Sequence, residues 1–242
     1  VRVSLICQLI IETVKGDNPK RYVVSIDEKT GIQALGRIEQ VAPVSKGGHI
    51  RREFEYQRNG TTTLIAGLNI ADGKLINSVM GPTRTELDFY DFIKKTIESI
   101  LSKQADAEII FMTDHLNTHI SESLVNLMAK QNNVSTDLGV KNKKGILQNQ
   151  IRRIEFLETE NHKIRFIFTP KHCSWLNPIE NWFAKLQKHV ITNGNFKSVG
   201  ELENKITKYV AYHNEWLCKT MNWKFRGFEK AKELANIKPL KN

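Results

Sequence analysis

Short apolar runs rich in β-branched residues alternate along this chain with stretches of helical period. "RYVVSIDEKT" (21–30) is one such run, and its unbroken apolar character predicts a central strand buried on both faces that ends on Asp27 and Glu28. From 52 to 81 the pattern changes to alternation at Phe54 and Tyr56, apolar runs at 64–68 and 75–79, and turn signals at Asn59-Gly60 and Asp72-Gly73. Together these predict an antiparallel meander. "TELDFYDFIKKTIESIL" (85–101) then carries Leu87, Phe89, Ile93, Ile97 and Ile100 near a helical period, with Thr85 as its cap. "AEIIFMTDHLNTH" (107–119) repeats the first design, an apolar strand running into an aspartate, here Asp114. A helix over 121–130 with Ser121 at its cap and a buried strand over 162–170 follow.

That last strand leads into "PKHCSWLNPIENWFAKL" (170–186), where Ile179, Trp182, Phe183, Leu186 and Val190 form a helical stripe. Asn177 reads as the N-cap, Pro178 as the first helical residue, and Glu180 as the carboxylate of a capping box beside the stripe. A further helix is expected over 198–217, and "VSLICQLII" near the start reads as a buried helix or strand, about half the length needed to span a bilayer. The segment 132–161 is too long for an ordinary loop and is expected to be an insertion with its own helix around 147–158. The order of elements is that of a mixed α/β sheet with helices packed on it. Its expected divisions are 1–20 as an N-terminal linker, 21–197 as the main domain containing the insertion, and 198–242 as a helical extension.

Composition narrows the partners. The 242 residues carry 36 Lys and Arg against 26 Asp and Glu, a net charge of +10, which points to a polyanion such as nucleic acid. The positive charge is dispersed, at Arg51-Arg52, Lys94-Lys95, Lys143-Lys144 and Arg152-Arg153, as an extended ligand would require. Three cysteines, odd in number and without a C-x-x-C pair, support neither a disulfide framework nor a zinc ribbon, so a reducing, cytoplasmic setting is expected and no membrane. The chain begins with Val1, and an N-terminal portion beyond it is expected.

Against that basic background, three acids stand out. Asp27 and Asp114 each close an apolar strand, and the carboxyl ends of strands are where ligands gather in open α/β sheets. If those strands are neighbours, two ionised carboxylates face each other and call for a cation or a shared proton. Glu180 would add a third at the same edge. An all-carboxylate set suits Mg²⁺ or Mn²⁺ rather than zinc. Two such ions about 3.5–4 Å apart can serve phosphodiester cleavage or transfer. Each acid also has a plain structural reading, as turn chemistry for Asp27 or Asp114 and as a helix cap for Glu180. Strand alternation sends Glu28 to the opposite face from Asp27. His115 and His119, four apart, fit a short helix start as well as they fit a zinc pair.

Five ordered segments resemble the DDE transposases of bacterial insertion sequences in the mariner-like superfamily. "VVSIDEKTGIQALGR" is similar to the family's first-aspartate motif, "EFEYQRNGTTTLIAGLNIADGK" to the hairpin after it, and "GPTRTELDF" to the next helix start. "TDHLNTH" resembles the second-aspartate motif and "TPKHCSWLNPIENWF" the third-carboxylate motif. The resemblance implies a ribonuclease-H-like fold, with Asp27, Asp114 and Glu180 as catalytic residues binding Mg²⁺ or Mn²⁺, two ions in all. It implies cleavage of double-stranded DNA at transposon ends, attack of the freed 3′-hydroxyl on target DNA, and a homodimer in the active complex. Lys171, His172, Trp175 and Asn177 in the motif loop, and Lys143, Lys144, Arg152 and Arg153 in the insertion, become the candidate DNA contacts. Asp114 and Glu180 stand 66 positions apart, farther than in compact members, and 132–161 accounts for the excess. The helix-turn-helix region that members carry at the N-terminus has no counterpart before Arg21, so the resemblance implies that 1–20 is a linker or the remnant of a missing DNA-binding region and that 21–197 is the ribonuclease-H-like catalytic domain. A DNA-binding remnant without activity, or a ribonuclease-H-type nuclease without strand transfer, are the alternative readings.

Overall fold

The structure, a computed structural model, describes residues 1–37, 55–192 and 194–227. The Arg51-Arg52 pair and Phe54 lie outside the described residues, as does the end of the C-terminal extension. Helix α1 (Arg2–Lys15) precedes three antiparallel strands, β1 (Arg21–Arg37), β2 (Tyr56–Asn69) and β3 (Leu75–Gly81), and then helix α2 (Glu86–Leu101). Strand β4 (Glu108–Thr113) and helix α3 (Glu122–Gln131) follow, then a two-residue hairpin of β5 (Gly139–Val140) and β6 (Lys144–Gly145), helix α4 (Gln150–Leu157) and strand β7 (Ile164–Phe168). Helices α5 (Ile179–Leu186) and α6 (Val199–Tyr212) end the order, each running on into a wider π-type turn. The five long strands form one sheet, β3-β2-β1-β4-β7, in which β1, β4 and β7 are parallel.

Alternation along the strands splits the core into layers. Val24, Ile26, Ile109, Phe111 and Phe166 point to the face covered by α2, α3 and α4. Val23, Ile110 and Met112 point the other way, against Ile6, Leu9 and Ile10 of α1, whose spacing is helical. The N-terminal apolar segment is therefore a helix packed on the core, ended by Gly16 in the left-handed conformation (φ 76°). Farther along β1 and β2, Ile32, Ala34, Leu64 and Ala66 meet Trp182, Phe183 and Leu186 of α5 and Leu202 and Ile206 of α6. Among the described residues no helix is long and apolar enough to cross a membrane.

Two sequence expectations need correcting here. β1 does not stop at Glu28 but continues to Arg37, because β2 pairs with it along that whole length. For the same reason Asn59-Gly60 is not a turn: it lies inside β2, where Gly60 (φ 110°) accompanies an irregularity between Gln33 and Leu35 of the partner strand. Asp72-Gly73 does turn the chain, with the Gly73 N–H donating to Asn69 O at 2.9 Å. The helix starts at Thr85 and Ser121 hold as expected. Thr85 forms a full capping box with Asp88, and the Ser121 hydroxyl accepts from Leu124 N.

Candidate active site

Parallel pairing brings the two aspartates together. Ser25 is opposite Met112 in the last pair of the β1–β4 ladder, so two residues farther on Asp27 and Asp114 share one register position. Neighbouring strands lie about 4.8 Å apart. Asp27 is thus not at the end of its strand, but it is just past the end of the parallel pairing, while β2 still holds its other side at Ala66. Asp114 has already left β4 for the turn at Asn117–Ile120.

The start of α5 is fastened to β1 by a buried polar cluster. Asn177, 1% exposed, donates through Nδ2 to Ile26 O (2.9 Å) and to Asp27 Oδ2 (3.2 Å), and its Oδ1 accepts from the Ser25 hydroxyl. Ser25 Oγ in turn accepts from the Ile179 N–H at 2.8 Å, and so satisfies a free donor of the helix start. This replaces the expected capping box: the Asn177 side chain caps nothing, its own N–H is taken by Ser174 O, and Pro178 stands at the cap position. The physical reason is that a buried serine hydroxyl from β1 reaches the helix end before Asn177 can. Glu180 is consequently released from capping and stands exposed in the first turn of α5, its carboxylate making no hydrogen bond or ion pair among the described residues.

Electrostatics tie the three acids together. Burial, with repulsion from Asp114 and Glu180 added to it, pushes the Asp27 carboxyl up to about 6, against the pull of the Glu28 N–H on its Oδ1 (2.8 Å). Burial also raises the Asp114 carboxyl, but His119 outweighs that effect and leaves it below the usual carboxylate range. His119 is fully buried, and despite that burial its contacts with Asp114 and Glu28 push it up to about 9. A desolvated carboxylate repelled by two others is a place where a cation lowers the energy. The oxygens on offer suit a hard divalent ion. Among the described residues no three His, Cys, Asp or Glu side chains are gathered closely enough to hold a metal ion. The donor chemistry of the three acids fits the ion, and Asp114 and Glu180 are near enough to Asp27 for their charges to act on it.

The remaining sequence candidates divide by exposure. Lys171 and His172 are exposed and line a cleft of about 320 Å³ with Asp114, His115 and Ser174. Trp175 is 49% exposed, its ring edge-on to Phe225. Lys143, Lys144 and Arg152 are exposed on the segment between α3 and β7. Asn177 and Arg153 are instead buried, Arg153 at 8% exposure, and the side chain of Asn177 is engaged inside the protein by Ser25, Ile26 and Asp27. His115 and His119 do not act as a pair: the His115 ring lies 5.1 Å from that of Phe168, while His119 faces Glu28. Sequence reasoning passed over Ser25 and His119 as site residues. For Ser25 the available signal was one hydroxyl in the run "VVSI".

Residues 22–203 match the family model described as DDE superfamily endonuclease. Among solved structures, the chain is similar to the Mos1 mariner paired end complex with Mn (TM-score 0.53, 15% identity, 87% of this chain and 54% of that one). It is similar to the Mos1 strand transfer complex (TM-score 0.53, 15%, 87% and 53%) and to a pre-cleavage Mos1 transpososome (TM-score 0.52, 14%, 87% and 54%). At such identity the likeness is one of fold, a ribonuclease-H-like sheet flanked by helices. The chain spans about half the length of these proteins. No curated protein matches it in sequence.

Proposed function

Because the chain belongs to the DDE superfamily endonucleases, we propose that it is the catalytic part of a transposase, cleaving double-stranded DNA at the ends of a mobile element and transferring the freed 3′-hydroxyl strand into target DNA. The observation that carries this reading is the shared register of Asp27 and Asp114, with Glu180 left uncommitted on a helix pinned to the same strand. Asp27, Asp114 and Glu180 would hold Mg²⁺ or Mn²⁺, two ions in the full reading. Bound there, they would activate the attacking oxygen and stabilise the leaving one. The chain's own part is to fix the carboxylates: Asn177 holds one oxygen of Asp27, and the Ser25 hydroxyl sets where α5 begins. Lys171 and His172 on the cleft beside Asp114 are suited to backbone phosphates, and so are Lys143, Lys144 and Arg152 on the insertion. Joining two DNA ends calls for two copies of the chain.

The test is cleavage and joining on pre-nicked duplexes carrying candidate element ends, with Mg²⁺ or Mn²⁺, for the wild type and Glu180→Gln. Glu180 is exposed and caps nothing, so its variant is expected to fold and bind DNA as before and to lose both reactions. Unchanged activity in Glu180→Gln removes it from the site. Hydrolysis without joined products in the wild type would mark a nuclease without transfer, and binding without cutting an inactive remnant.

A further inference from the structure

Asp27 is still paired on one side, with Ala66 of β2, but Asp114 has no strand partner, since β4 ends at Thr113. What holds Asp114 is a turn and one histidine. Leu116 N–H donates to Asp114 Oδ1 at 3.1 Å, and His119 Nδ1 lies 2.8 Å from the same oxygen. Nδ1 is also 2.9 Å from Thr113 Oγ1, so the ring is keyed to the end of β4 as well as to the carboxylate. The far nitrogen, Nε2, lies 3.2 Å from Glu28 Oε1, on the strand that carries Asp27. Phe89 of α2 closes the remaining side, its ring centroid 4.1 Å from that of His119.

The Glu28 carboxylate needs an explanation of its own. Its side chain is 3% exposed, and burying a carboxylate is costly unless a partner compensates it. His119 is that partner. The imidazole therefore bridges the strand of one aspartate to the carboxylate of the other, from the face of β1 opposite Asp27. Resting on the metal-site reading given above, we infer that His119, anchored by Glu28, is a positioning residue that engages Asp114 Oδ1 and so presents the other oxygen, Oδ2, to a divalent cation. Partners behind a ligating carboxylate fix its orientation, and their loss typically weakens metal binding by about 10–100-fold. A purely structural role, closing the turn over Phe89, would affect folding and leave metal binding alone.

The experiment is calorimetric titration of the full chain with Mn²⁺, without DNA and at a temperature well below melting, together with melting curves in chelator. His119→Phe keeps a ring against Phe89 and removes both nitrogens. It is expected to weaken Mn²⁺ binding about 10–100-fold. His119→Asn, whose amide can stand near the place of Nδ1, should recover part of that loss, and Glu28→Gln should weaken binding in the same direction by a smaller factor. Lower melting temperatures with unchanged Mn²⁺ affinity in His119→Phe and Glu28→Gln would overturn the inference. If His119→Phe does not fold, Glu28→Gln decides: weaker Mn²⁺ binding supports the positioning role and wild-type binding overturns it. Asp114→Asn separates the two levels of the argument. Wild-type affinity in that variant would end the metal-site reading and the role of His119 with it, whereas a loss there without a loss in His119→Phe and Glu28→Gln would overturn the positioning role alone.

Discussion

The two aspartates occupy one register position and are held by different means. Asp27 sits in a strand that is hydrogen-bonded to β2 at Ala66, and its two oxygens are met by the Glu28 N–H and by Asn177. Asp114 lies in a turn beyond the ladder, and both of its contacts come from within the next five residues. On the β1 side, position follows from the backbone and a buried amide. On the β4 side it follows from a histidine whose own position depends on α2 and Glu28. The first half of the site is built from the sheet outward, whereas the second is built from side chains inward. Damage to the two halves should therefore look different.

The largest effect is expected where the halves are equal. Asp27→Asn and Asp114→Asn each remove a charge from the proposed metal site, and a lost metal interaction worth several kcal/mol corresponds to roughly a thousandfold or more in rate. Cleavage assays with Mg²⁺ and Mn²⁺ check this; a variant within tenfold of the wild type would remove that aspartate from the chemistry. Asn177→Ala is expected to come next and to break the symmetry. It strips buried partners from Ser25, Ile26 O and Asp27 at once, and each unsatisfied buried group costs about 1–3 kcal/mol. A chain of this size loses about 2–4 °C of melting temperature per kcal/mol, so three such groups, each at the low end of that cost, should lower the melting temperature by roughly 6–12 °C. Cleavage should fall in the same variant, because Asp27 and the start of α5 lose a common anchor. A normal melting curve would show that the β1 half stands without its polar cluster.

Most of the fold was legible in sequence because it rests on local signals. The apolar runs marked β1, β4 and β7, the cap residues Thr85 and Ser121 fixed two helix starts, and the helical stripe from Ile179 marked α5. Asp27, Asp114 and Glu180 stood out as candidates for a related reason, since each follows an apolar run or a turn signal. What stayed hidden depends on pairings that span the chain. Asn59-Gly60 has the composition of a turn, but its conformation is set by β1, more than twenty residues earlier. Asn177 followed by Pro178 has the composition of a helix cap, but Ser25, from a distant strand, takes the capping role. His119 looked like part of a short helix start, and it is; its second function comes from Glu28, which no spacing rule brings near it.

The smallest expected effect probes the support behind the Asp114 half. The capping box of Thr85 and Asp88 secures the first turn of α2, the turn that carries Glu86 and leads to Phe89. Glu86 accepts from Ser123 N–H at 3.2 Å at the start of α3, and Phe89 lies against His119. Thr85→Ala removes the side chain that accepts from Asp88 N, at a cost of about 1 kcal/mol, which should lower the melting temperature by about 2–4 °C. The box is one turn from Phe89, and Phe89 is fully buried in the main core with Phe92 and Ile93, so the ring should keep its place when the helix end loosens. The concentration of Mn²⁺ needed for half-maximal cleavage should then match the wild type. A raised metal requirement in Thr85→Ala would mean that His119 takes its position from the first turn of α2 more than from Glu28, and that the Asp114 half of the site depends on a helix end at the surface.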